Sequence, residues 1–175
     1  MKKIVIGYAG ISHLGLNSSI AAAEKVSKVI AFDYNENIIE KLKLGETEIN
    51  EPDLKEKMSQ LRDKIHFTSN ISDLIECDIV YISKDVPTNN KGKSDLSSIE
   101  KLIQEVNLII KKETILVILC QVPPGFTRKV NRPFGKLYYQ VETLIFGRAI
   151  ERATLPERII LGCSDERHFI EKNLN

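Results

Sequence analysis

Gly10, Ser12, Gly15 and Asp33 are spaced for phosphate and ribose chemistry. Gly10 and Gly15 hold the first and last places of a G-x-G-x-x-G pattern, and Ser12 stands in the second. Such a turn, when a helix follows it, gathers unpaired backbone N–H groups and partial positive charge at one point, where a pyrophosphate can sit. Glycines let the backbone approach the phosphates without a Cβ in the way. Asp33 follows Gly15 by eighteen residues, near the spacing at which a carboxylate accepts hydrogen bonds from the adenosine ribose. Gly7 adds a glycine nearer the strand, so the turn is expected to be two residues longer than usual. That lengthening and Ser12 together predict weak or altered dinucleotide affinity. A 2′-phosphate would need a nearby cation, and Tyr34 and Asn35 supply none. NAD, rather than NADP, is the expected cofactor.

The other reactive residue types make no comparable pattern. Cys77, Cys120 and Cys163 are odd in number and far apart, with no C-x-x-C. They read as reduced thiols rather than a disulfide frame or a zinc site, and Cys120 as a buried apolar thiol rather than a nucleophile. His13, His66 and His168 lack ligand spacing, so no metal is expected. Lys84 and Asp85, at the end of a strand, read as a local ion pair of little energetic weight, with a site role as the alternative. Arg128 and Arg132 read as a solvated basic loop, with phosphate contact as the alternative.

These residues need a scaffold, and the apolar pattern supplies one. A short apolar run at 4–6, the glycine turn, an Ala-rich helical stretch and a second apolar run ending at Asp33 make a βαβ unit. Residues 36–44 carry Ile38, Ile39 and Leu42 at helical spacing, with Gly45 as C-cap. After a surface turn at 46–50, Glu51 and Pro52 open a short helix whose Leu54, Met58 and Leu61 share one face. Residues 64–68 form a short strand, and Asn70 or Ser72 caps a brief helix at 73–75. The run 78–83 is a buried parallel strand. The polar segment 84–94 is a loop at its C-terminal end, where open α/β sheets place ligands. Asp95 caps a helix with a stripe of Ile99, Leu102, Ile103, Val106 and Ile110, and 114–119 is another strand. Residues 127–136 hardly leave room for a full helix. Strands are expected at 137–141 and 158–161, a helical turn or two at 146–152, and the start of a helix from Ser164. Alternating strands and helices predict an α/β fold, a doubly wound, mostly parallel sheet of Rossmann type.

Length and charge bound the rest. A chain of 175 residues with 42% hydrophobic and 28% charged residues suits a single globular domain, 1–175. A net charge of +1 gives no electrostatic reason to expect nucleic acid or a membrane surface. The first apolar run is too short for a signal or a span, so a cytoplasmic location is expected.

Six stretches in order resemble the N-terminal NAD-binding domain of the UDP-glucose/GDP-mannose dehydrogenase family. They are His13-Leu-Gly15-Leu running to Val29-Ile-Ala-Phe-Asp33, and Leu44-Gly-Glu46 with Glu51-Pro-Asp-Leu54, similar to L-x-x-G-x-x-x-x-x-E-P-G-L. Next come Asp78-Ile-Val-Tyr-Ile-Ser83 with Val86-Pro-Thr88, similar to A-D-V-x-F-I-x-V-x-T-P, and Asp95-Leu-Ser, similar to A-D-L-S. Gln121-Val-Pro-Pro-Gly125 is similar to S-T-V-P-x-G. Tyr139 to Gly147 with Leu155-Pro-Glu-Arg-Ile-Ile-Leu-Gly162 is similar to N-P-E-F-L-x-E-G and N-P-x-R-I-V-x-G.

The resemblance implies an enzyme of polysaccharide biosynthesis in which NAD oxidises the C6 alcohol of a nucleotide sugar to the acid in two hydride transfers. A cysteine holds the aldehyde level as an oxidisable thiohemiacetal. That cysteine belongs to a C-terminal part not found in this chain, so the chain alone is expected to be inactive, and the full-length protein to be a homodimer. The implied cofactor-binding residues are Gly10, Ser12, His13, Leu14, Gly15, Asp33, Val86 and Pro87, and the implied catalytic residues are Gln121 and Glu142. Departures gather near the chemistry. Val86 and Gln121 stand where the family has threonines, and Tyr139-Gln-Val141 departs from its x-N-P. Phe146 stands where it has a second glutamate, and a phenyl ring takes no proton. A divergent dinucleotide- or nucleotide-sugar-binding module without catalysis is the alternative reading.

Overall fold

The computed structural model describes residues 3–88, 90, 92, 94–132 and 135–163. Seven strands form one sheet in the order β3-β2-β1-β4-β5-β6-β7. They are β1 (Val5–Ala9), β2 (Lys28–Phe32), β3 (Ile65–Thr68), β4 (Ile79–Ile82), β5 (Ile115–Ile118), β6 (Leu137–Gln140) and β7 (Leu161–Gly162). The first six pair in parallel, and β7 runs antiparallel to β6. The helices are α1 (His13–Lys25), α2 (Glu36–Lys43), α3 (Leu54–Gln60), α4 (Ser97–Ile109), α5 (Phe126–Lys129) and α6 (Ala149–Thr154). Strand order reverses between β1 and β4, and a crevice opens at their C-terminal ends, where ligands of such sheets bind.

Strands β2, β4 and β5 are buried on both faces almost throughout, which is why they read as continuous apolar runs instead of alternating ones. In β2, Val29 and Ala31 join one core with α1, α3 and α6, while Ile30 and Phe32 join the other with α4. Ile99, Leu102, Ile103, Val106 and Ile110 all lie in that second core, as their helical spacing predicts. Helix α1 is enclosed almost all round, and its Ser18, Ser19, Ala21 and Ala23 are small enough to admit neighbours on several sides.

Four details differ from expectation. Gly7 is not part of the turn: it lies inside β1, paired with Ile30 and Val80. A Cβ there would stand 2.8 Å from Cys77 Sγ and 2.9 Å from Leu74 Cδ2, so this glycine serves packing, and the turn has ordinary length. The strand expected at 158–161 shrinks to Leu161–Gly162, because β6 ends at Gln140 and leaves one further bond, from Val141 N–H to the Ile160 carbonyl. No ion pair joins Lys84 to Asp85 among the described residues. The helix start expected from Ser164 lies outside the described residues.

The fourth difference is Arg132, which is neither solvated nor a phosphate ligand. Its guanidinium donates to Asn107 Oδ1 (2.8 Å) and to the carbonyls of Lys111 (3.2 Å), Thr114 (2.5 Å) and Lys136 (3.4 Å). It satisfies oxygens of α4, of the approach to β5 and of the residue before β6, and burial holds its pKa below the usual range. Gly135 leaves it room, since a Cβ there would lie 2.4 Å from Arg132 Nε. Arg132→Ala is expected to cost about 1–3 kcal/mol, because it strands partly buried acceptors. Thermal unfolding checks this, and Arg132→Lys should recover only a minor part, since one ammonium cannot span the same oxygens.

Candidate functional site

The crevice between β1 and β4 is built around the N-terminus of α1. Gly10 turns the chain at φ +97°, and its N–H donates to the Phe32 carbonyl at 2.9 Å. A Cβ on Gly10 would meet Lys84 Cβ at 2.6 Å, and one on Gly15 would meet the Gly10 carbonyl oxygen at 2.0 Å. Turn, helix and the loop after β4 are therefore in backbone contact at these two glycines. Ser12, in the second glycine's place, does not cap the helix with its side chain. Its Oγ donates to the Ser83 carbonyl (3.2 Å) and accepts the Asp85 N–H (3.0 Å), bolting the turn to the β4 loop. The first turn of α1 carries no acid. The N–H groups of His13, Leu14 and Gly15 stand at the positive end of a 13-residue helix, a cradle that suits a pyrophosphate.

Asp33 is half-buried at the end of β2. Oδ2 accepts the Ile11 N–H and Oδ1 the Asn35 N–H, both at 2.9 Å. One carboxylate thus fixes the glycine turn and opens the approach to α2, and each oxygen keeps a lone pair for a ribose hydroxyl. A cleft of about 180 Å³ lies here, lined by Gly10, Asp33, Tyr34, Lys84, Lys101 and Glu105 among others. Tyr34 stands edge-on to Phe32, with ring centroids 4.8 Å apart, and donates its hydroxyl to Glu105. Loss of solvent, then the Glu105 hydrogen bond and charge, push the Tyr34 phenol up to about 12.

A second cleft, of about 240 Å³, lies on the other side of the turn. It brings together His13, Leu14, Val86, Gln121, Glu142 and Phe146. Gln121 Nε2 donates to Glu142 Oε2 at 3.3 Å, and Glu142 Oε1 accepts the Leu144 N–H, which fixes the carboxylate to its own loop. Phe146 is 82% exposed, and its ring centroid is 4.5 Å from that of His13. Pro87 lines neither cleft; its carbonyl accepts the Asp95 N–H at 2.9 Å and closes the loop behind Val86.

Sequence reasoning gave Glu51 no site role, reading it as a helix opener beside Pro52 and as part of a family-like stretch. Its side chain is 1% exposed. It accepts from His13 Nε2 (2.8 Å), Gly147 N–H (3.0 Å) and Ala149 N–H (3.3 Å). This carboxylate ties the start of α1 to the loop that carries Glu142 and Phe146, and so sets the width of the second cleft. Burial pushes its pKa up, but the His13 and backbone hydrogen bonds outweigh burial and hold it below the ordinary 4.5. The only sequence signal for it is the Glu-Pro pair at 51–52.

Glu51→Ala is expected to cost about 2–4 kcal/mol, because it leaves two N–H groups and an imidazole without their acceptor. A depressed folded pKa means stability that is present above the unfolded value and lost as pH falls through the folded one. The wild type should therefore lose stability below about pH 4.5, and Glu51→Ala should lose less there. Urea unfolding across the acid range measures both.

The thiols stay outside this chemistry. Cys77 and Cys120 are buried, and loss of solvent pushes both up to about 12, so neither is a thiolate near neutral pH. Among the described residues, no group of three or more His, Cys, Asp or Glu side chains is placed to hold a metal ion, and no helix is long and apolar enough to cross a membrane.

Comparison with known proteins agrees with this geometry. Residues 2–173 match the family model described as UDP-glucose/GDP-mannose dehydrogenase family, NAD binding domain. The chain is 31% identical to Protein CapL of Staphylococcus aureus over 95% of its own length and 37% of that protein. It is 28% identical to the UDP-glucose 6-dehydrogenase TuaD of Bacillus subtilis, over 95% of its length and 38% of that protein. Its fold is that of a UDP-D-ManNAc dehydrogenase from Pyrococcus horikoshii, with TM-score 0.85, 22% identity, and coverage of 93% of this chain and 42% of the other. The chain therefore spans about two fifths of the length of these relatives.

Proposed function

Because the chain belongs to the UDP-glucose/GDP-mannose dehydrogenase family, as its NAD-binding domain, we propose that it binds NAD across the N-terminus of α1. On this reading it serves, in a longer protein, the oxidation of a nucleotide sugar's C6 alcohol to the acid. The observation that carries the proposal is the pair of clefts on either side of one glycine turn. One holds Asp33, and the other holds Gln121 and Glu142. A dinucleotide has that form, with two nucleosides joined by a charged bridge that suits the uncapped helix end.

Each residue then has a task that its surroundings permit. Gly10 and Gly15 keep the cradle free of Cβ atoms, and His13 and Leu14 present N–H groups to the phosphates. Ser12 holds the turn against the β4 loop. Asp33 accepts from the adenosine ribose while keeping its hold on Ile11. When bound, NAD supplies the hydride acceptor. Val86 bounds the second cleft on the cofactor side, and Gln121 and Glu142 form its polar wall, where they orient a sugar hydroxyl and hold its proton. Phe146 offers an exposed aromatic surface on the same rim. Its exposure suits stacking against a sugar or base face, and its phenyl ring takes no proton.

The substrate class, a nucleotide sugar, the cytoplasmic location and the homodimer of the longer protein belong to the same proposal, without nucleic acid or membrane partners. It is tested by following NAD reduction with a panel of UDP- and GDP-sugars. The longer protein should reduce NAD with one of them, and Glu142→Gln should lower kcat by about 100-fold or more. This chain alone should bind NAD without reducing it. Turnover to the sugar acid by the 175-residue chain would overturn the division of labour.

A further inference from the structure

We propose that Lys84 is a phosphate-binding residue of this site, whose ammonium meets the pyrophosphate of the dinucleotide. The inference rests on the NAD-binding reading above and adds to it a cation that the glycine turn does not contain. Lys84 is at the closest approach of the β4 loop to the turn. Its N, Cα and Cβ all lie within 2.8 Å of where a Gly10 Cβ would be. It is half-buried, it lines the cleft that contains Gly10 and Asp33, and it has no ion-pair partner among the described residues.

The charges around it are already committed elsewhere. Asp33 accepts two backbone N–H groups, and Glu105 accepts the Tyr34 hydroxyl and pairs with Lys101 at 3.9 Å. Asp85, the next residue, is exposed. Lys84 therefore shares its cleft with the Asp33 carboxylate, makes no ion pair among the described residues, and stands near the positive end of α1, whose first turn carries no acid. Two positive fields, of the ammonium and of the helix end, converge on one half-buried point and repel each other. A pyrophosphate placed between them relieves both.

Ser12 makes the arrangement mechanical as well as electrostatic. Its Cβ occupies space that a second glycine would leave open, and its Oγ clamps the backbone on both sides of Lys84, at Ser83 O and Asp85 N. Backbone approach to the phosphates is thus narrowed at residue 12, and a cation is held at residue 84 by the same hydroxyl. Ser12 and Lys84 act as one exchange: closer backbone contact is given up and a point charge takes its part.

The test is equilibrium binding of NAD, ADP-ribose, NADP and adenosine to the wild-type chain, Lys84→Met and Lys84→Arg, over a series of NaCl concentrations. Lys84→Met should weaken NAD and ADP-ribose about tenfold, the scale of one charge-assisted contact. It should also flatten their salt dependence and leave adenosine unchanged. Lys84→Arg should keep most of the affinity. Unfolding temperature should stay level or rise in Lys84→Met, because a repulsion is removed; a lower value would assign Lys84 a structural role and count against the proposal. Equal NAD affinity and salt slope in wild type and Lys84→Met would overturn it. A loss confined to NADP would place the ammonium at a 2′-phosphate and overturn the pyrophosphate assignment. If the wild type binds none of the four ligands, the cofactor reading fails and this proposal with it.

Discussion

Gly15→Ala is expected to abolish NAD binding and to destabilise the chain by about 3 kcal/mol or more, at the upper end of overpacking costs. The added methyl would stand 2.0 Å from the Gly10 carbonyl oxygen, 2.9 Å from Ser83 Oγ and 3.0 Å from the Gly10 carbonyl carbon. Two of these neighbours are backbone atoms of the turn, so a rotamer change cannot relieve the clash. Either α1 moves away from β1 or Gly10 leaves its +97° conformation. In both cases the cradle opens. Helix α1 is also enclosed on several sides, with Leu16, Ile20 and Ala23 essentially without solvent contact, so a shift at its start is transmitted into the first core. Gly45→Ala is the control. Gly45 also has positive φ but nothing within 4 Å of its Cβ position, so it should lose only the backbone preference of about 1 kcal/mol and keep its NAD affinity. Urea unfolding and NAD titration of the two variants separate crowding at the cradle from a general glycine effect.

Asp33→Ala is the second large effect. It removes the acceptor for the ribose hydroxyls and releases the Ile11 and Asn35 N–H groups together. The turn loses one of its tertiary ties, and α2 loses a bond at its entrance, for about 2–4 kcal/mol of stability. NAD affinity should fall by about 100-fold, the worth of two charge-assisted hydrogen bonds. Asp33→Asn should not rescue it. Both carboxylate oxygens accept from backbone N–H groups, so a side-chain NH₂ would have to face one of those donors. Asparagine at this position is therefore expected to resemble alanine in affinity, although it conserves shape. Calorimetric titration with NAD and thermal unfolding of the two variants test this pairing.

The sequence made the frame legible because the frame is written in local patterns. Continuous apolar runs marked the parallel strands, the 3.6-residue stripe from Ile99 to Ile110 marked α4, and the interval from Gly15 to Asp33 marked the βαβ unit. Gln121 and Glu142, singled out by the resemblance, do meet. What the sequence could not show depends on contacts far apart in the chain. Gly7 looked like a turn residue until the packing of Cys77 and Leu74 against its Cα gave it another purpose. Glu51 looked like the opener of a short helix, yet its oxygens serve His13 and the backbone at Gly147 and Ala149, nearly a hundred residues later. Arg132 looked like part of a basic loop, and its four oxygen partners come from α4, the β5 approach and residue 136. Charged residues carry no periodicity that distinguishes burial from solvation, so only the tertiary structure decides which of them are paired.

Phe146 links these observations to the divergence of the site. It holds the place of a proton-handling residue in the resemblance, and here its ring lies against His13, whose imidazole is fixed by buried Glu51. The rim of the second cleft is thus set by packing and the hydrogen bonds of one buried carboxylate, while the cofactor side is set by glycines and Asp33. Changes at the first are expected to redirect substrate choice. Changes at the second should remove nucleotide binding altogether.

Titration of NAD into the wild-type chain, with Asp33→Ala alongside and ADP-ribose as competitor, tests the central claim most directly. One saturable NAD site per chain is expected, competed by ADP-ribose and weakened about 100-fold in an Asp33→Ala variant that remains folded. Absence of binding at millimolar NAD, or binding that Asp33→Ala leaves unchanged, would contradict it.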